Sequence, residues 1–89
     1  MTKEEAIKLL TNRKVITGKR TNEIREKLSE LGFKLPVSPY IEIKDDWIKV
    51  LYMHENLLLG WDYDTSTSTF EKHQYKEISP EKILNIKTN

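Results

Sequence analysis

The sequence predicts a single α+β domain: two N-terminal helices, a four-stranded antiparallel β-meander, and a short C-terminal helix, with the helices on one face of the sheet. Three observations carry that prediction. Seven of the eight aromatic residues fall between Tyr40 and Tyr75, in a stretch rich in β-branched residues and punctuated by turn formers. Helix-start and helix-stop signals bracket the segments on either side. Finally, 89 residues with 37% hydrophobic and 33% charged side chains suit one small core and leave no room for two.

The first helix runs from Lys3 to Leu10. Thr2 and Glu5 fit a capping box, in which the hydroxyl accepts from the Glu5 amide and the carboxylate reaches back. Ala6, Ile7 and Leu10 face inward. Thr11 to Gly18 breaks the period, and Val15 with Ile16 reads as a short extended piece or the floor of a loop. Thr21 is placed as the cap of a second helix, Asn22 to Leu31, carried by Ile24, Leu28 and Leu31. Gly32 ends it, with Phe33 folding back onto Leu28 as a Schellman motif requires. Leu35 to Pro39 then runs extended, because residues before proline leave the helical region.

Strands are expected at Tyr40–Lys44, Trp47–Met53, Leu57–Tyr63 and Thr69–Tyr75. Asp45-Asp46, His54-Glu55-Asn56 and Thr65 to Ser68 form the turns. Connections this short favour antiparallel pairing throughout. The last helix starts strongly: Ser79 caps, Pro80 takes the first helical position, and Ile78 can staple to Ile83.

The charge distribution is asymmetric. Residues 1–36 hold nine Lys or Arg against five Glu, a net of +4, while residues 37–89 hold six against nine acids, a net of −3. There is no cysteine, so neither a disulfide framework nor a thiolate site is available. No signal peptide or membrane helix is read, and the expected setting is the cytoplasm.

No catalytic constellation emerges. The sequence lacks a glycine-rich phosphate loop, a nucleophile elbow and a metalloprotease motif. Asp62-x-Asp64-x-Ser66-x-Ser68 begins like a calcium loop but has Thr67 where glycine belongs and His73 where the bidentate glutamate belongs, so it reads as a polar turn. His54 and His73 are not brought together by their spacing, and no metal or cofactor is assigned.

Two binding readings remain. The preferred one is a non-enzymatic interaction module that binds another protein, or itself as a homodimer, through Trp47, Tyr52, Trp61 and Tyr63. These aromatics exceed what a small core easily buries, and Trp and Tyr make effective interface anchors. The alternative is nucleic-acid binding by Arg13, Lys14, Lys19, Arg20 and Arg25, a basic cluster at a helix start that can neutralise phosphates. The run Thr21 to Phe33 followed by a hairpin resembles the last helix and wing of a winged-helix DNA-binding domain. That resemblance covers about 35 residues and includes no specific motif. It departs from the family in having two helices before Pro36 where such domains have three.

Overall fold

The structure, a computed structural model, describes residues 1–36, 43–63 and 75–89. Along the chain run α1 (Lys3–Leu10), β1 (Arg13–Ile16), α2 (Thr21–Glu30), a 3-10 turn (Asp45–Trp47), β2 (Val50–Met53), β3 (Leu59–Asp62), β4 (Lys76–Glu77) and α3 (Pro80–Leu84). The fold is α+β, with three α-helices and a four-stranded mixed sheet among the described residues. Among the described residues no helix is long and apolar enough to cross a membrane.

Local signals fix the helix ends. Thr2 and Glu5 form the capping box, with the Glu5 amide 3.1 Å from the Thr2 hydroxyl and the Thr2 amide 3.0 Å from the Glu5 carboxylate. Those bonds hold the Glu5 carboxyl below its usual range. At the other end of α2 the Phe33 amide donates to the Leu28 carbonyl (2.9 Å) and the Gly32 amide to that of Ser29 (3.0 Å), the two bonds of a Schellman motif. Gly32 sits at φ +104°, where a side chain would be strained. Ser79 caps α3 from the position before Pro80.

The sheet corrects the predicted meander. Its order is β3-β2-β1-β4, with β1 antiparallel to β2 and parallel to β4. The strand β1 comes from the segment between the first two helices and inserts itself beside β2. Parallel pairing is possible because most of the chain, α2 included, lies between β1 and β4 and supplies the crossover. The β2–β3 hairpin stands, turning at His54 to Leu57, with Leu57 at φ 66°.

Other boundaries change too. Ile43 and Lys44 are not strand, and Asp45-Asp46 winds into the 3-10 turn instead of closing a hairpin. Of the expected first and last strands, and of the Thr65 to Ser68 turn, residues 40–42, 64–68 and 69–74 lie outside the described residues. Tyr75 precedes β4 without joining it. The second helix begins at Thr21, capped by the backbone position of Arg20 with no side-chain bond.

One core holds these parts together. Val15, Leu51, Met53 and Leu59 pack with Ala6 and Leu10 of α1, Ile24 and Leu28 of α2, and Ile83 of α3. The register places those four strand residues on a common sheet face, so the helices share it. The opposite face is not bare: Val50 and Tyr52 are as buried as their neighbours, so β2 is dry on both sides.

Candidate functional site: an aromatic groove beside the 3-10 turn

Trp47 owes its place to polar anchors on the turn that carries it. The Arg25 guanidinium grips the Asp45 carboxylate with two bonds, Nε to Oδ1 at 2.7 Å and Nη2 to Oδ2 at 3.0 Å. This bidentate contact is the first cause of the raised Arg25 pKa. One residue past Trp47, the buried Ile48 carbonyl accepts the Thr21 hydroxyl at 2.9 Å, with Thr17 close behind at 3.3 Å. The turn is therefore clamped onto α2 from both ends.

The end of β3 supplies the facing wall. The Lys49 amide donates to the Asp62 carbonyl at 2.8 Å, which draws the chain after the turn alongside β3. Trp61 and Tyr63 flank Asp62, and strand alternation turns both to the side opposite its own. Trp61 lies opposite Leu51 and leans on the core, whereas Tyr63 is 74% exposed and Trp47 43%.

Asp46, Trp47, Lys49, Trp61 and Tyr63 line a cavity of about 340 Å³. Three of the four aromatics proposed from the sequence thus meet at one place. Among the described residues the ring contacts are Tyr52 to Tyr75 and His54 to Tyr75, and none joins Trp47, Trp61 and Tyr63 to one another. The groove rings share a cavity without consuming each other's faces.

Tyr52 is the exception and must be removed from the surface set. It is 1% exposed, with its ring edge-to-face against Tyr75 at 5.4 Å between centroids. Its position on the central strand buries it whichever face it takes. Asp46 and Lys49 were not singled out in the sequence. Their spacing from Trp47 was the available signal, and it became meaningful only once the 3-10 turn was known.

Tyr75 also hydrogen-bonds His54 Nδ1 through its hydroxyl, near Glu55, whose carboxylate takes the Asn12 amide at 3.0 Å. Burial first, and then the Glu55 charge, push the Tyr75 phenol above its ordinary value. A raised acid pKa in the folded state gives stabilisation that is complete below about pH 10 and is lost as pH rises through the shifted value. In an alkaline absorbance titration, the phenol missing from Tyr75→Phe should therefore be one that ionises above pH 10. A missing phenol with an ordinary midpoint would contradict this arrangement.

The basic residues do not form one surface. Arg13 and Lys14 are consecutive on β1 and point to opposite sheet faces. Lys19 is exposed in the turn before α2, while Arg20 bonds Glu81 (3.2 Å) and Glu23 (3.4 Å), and Arg25 is committed to Asp45. Among the described residues no group of three or more His, Asp or Glu side chains is placed to hold a metal ion, and His73 lies outside them. No family model, no curated protein and no solved structure matches the chain.

Proposed function

We propose that this chain is a binding module rather than an enzyme, and that it receives another protein in the groove of Trp47, Trp61 and Tyr63. The observation behind this reading is the convergence on one cavity of three large aromatic side chains from two separate elements, with no ring stacked on them among the described residues. Aromatic residues of this kind carry most of the energy at protein interfaces, because they bury large area at low entropic cost and keep a polar atom for a partner. The clamps on the 3-10 turn add to it, since a preformed anchor loses less on binding than a loose one.

Selection of a displayed peptide library on the immobilised protein tests the reading. Enriched peptides should perturb the indole resonances of both tryptophans and lose about thirtyfold in affinity on Trp47→Ala with Tyr63→Ala, the scale of one interface hot spot. Both residues are exposed enough for the double variant to fold. Peptides that bind it as tightly as the parent would place the binding surface elsewhere. Because a second copy of the chain is also a possible partner, sedimentation of parent and double variant separates self-association from binding to other proteins.

A further inference from the structure

We infer that the groove recognises a cation, and specifically an arginine side chain presented by the partner protein; this deepens the binding reading above and rests on it. The faces of Trp47, Trp61 and Tyr63 bear the negative lobe of the aromatic quadrupole, and a cation set over such a face is attracted, most strongly by tryptophan. Among the described residues no ring contact or charged group of the chain already occupies these faces.

The lining also holds a carboxylate. Asp46 is exposed and forms no ion pair among the described residues, whereas its neighbour Asp45 is committed to Arg25. A guanidinium suits this combination better than an ammonium: it is planar, stacks flat on a ring, sheds water more readily and offers a fork of donors to a carboxylate. At about 340 Å³ the cavity exceeds the charged head alone, so the methylene stem can lie along the indoles as well.

Among the described residues Lys49 is the one cation in the lining, and it gives the inference a sign. It repels an incoming guanidinium. Removing it should strengthen binding, whereas removing Asp46 should weaken it.

The probe is a blocked tripeptide with central arginine, compared with its citrulline counterpart, which keeps the shape and loses the charge. The chain's two tryptophans both line the groove, so their two indole N–H resonances report on this site alone. The arginine peptide should shift both and bind about five- to tenfold more tightly than the citrulline peptide, the scale of an exposed cation–π contact with one ion pair. Asp46→Asn should narrow the difference between the two peptides to the cation–π part, about two- to fivefold, and Lys49→Gln should tighten the arginine peptide about two- to threefold. Both side chains lack ion-pair partners among the described residues, and the amide spectrum of each variant verifies its fold. Equal affinity for the two peptides, no response of either indole, or weaker binding on Lys49→Gln overturns the arginine assignment. Library peptides without arginine that still depend on Trp47 and Tyr63 would leave the binding module standing while removing the cation.

Discussion

Phe33→Ala is expected to lose about 3 to 5 kcal/mol of stability, and to leave this small domain unfolded or nearly so at ambient temperature. Phe33 is fully buried and belongs to the common core. Its position is over-determined: its amide closes the Schellman motif on Leu28, Gly32 before it turns the chain, and Lys34 after it bridges to the start of β3 through Leu57 and Leu59. Backbone held at so many points cannot close over the space a deleted ring leaves. A cavity therefore persists, and its cost adds to the lost transfer energy. Domains have only about 5 to 15 kcal/mol in total, the low end being usual at this size. The urea midpoint followed by tryptophan fluorescence measures the effect, with Phe33→Leu as the volume-sparing control at less than about 1.5 kcal/mol. A loss below about 1 kcal/mol on Phe33→Ala would mean that the ring is not enclosed as described.

How much of this was legible beforehand depends on how far each signal reaches along the chain. The pairs Thr2 with Glu5, Gly32 with Phe33, and Ser79 with Pro80 act within one turn of helix, and all three sit where reading predicted. Thr21 shows the limit of such reasoning. Its hydroxyl suits a cap, but a buried carbonyl from a distant segment takes the bond instead. The strand β1 was harder still: of its four residues only Val15 is buried, and Ile16 is 37% exposed, so no alternation announces it. Locally, Val15 with Ile16 reads only as a short extended piece or the floor of a loop; what makes Arg13–Ile16 a strand is its long-range pairing with β2. The two exposed residues of β4 are the same case. At the groove, composition revealed a surplus of aromatics but could not separate Tyr52, enclosed on the central strand, from Trp47 and Tyr63. For Tyr52 that distinction waited on the sheet order, and for Trp47 on Arg25, read as a phosphate ligand, which instead ties down Asp45 in the turn that carries Trp47.

The hydroxyls of Thr17 and Thr21 connect the stability of the fold to the shape of the groove, and removing both should cost more than the two single losses together. The oxygens lie 2.6 Å apart, both are within reach of the Ile48 carbonyl, and both residues are nearly inaccessible. In the parent, Thr21 donates to the carbonyl and Thr17 can donate to Thr21. In Thr21→Val, Thr17 can rotate its proton onto the carbonyl, and in Thr17→Val, Thr21 already serves it. Each single variant should therefore lose only about 0.5 to 1.5 kcal/mol, the net worth of one hydrogen bond. The double variant leaves a buried carbonyl without either donor and should add the penalty of an unsatisfied group, about 1 to 3 kcal/mol. A coupling above about 0.5 kcal/mol in the cycle of chemical-denaturation energies identifies the two hydroxyls as alternatives for one acceptor. Simple additivity would show that each makes its own separate bond. The carbonyl belongs to the residue directly after Trp47, so the double variant should also bind the arginine peptide more weakly under conditions where it remains folded. The ring would still be present, but no longer held in place before the partner arrives.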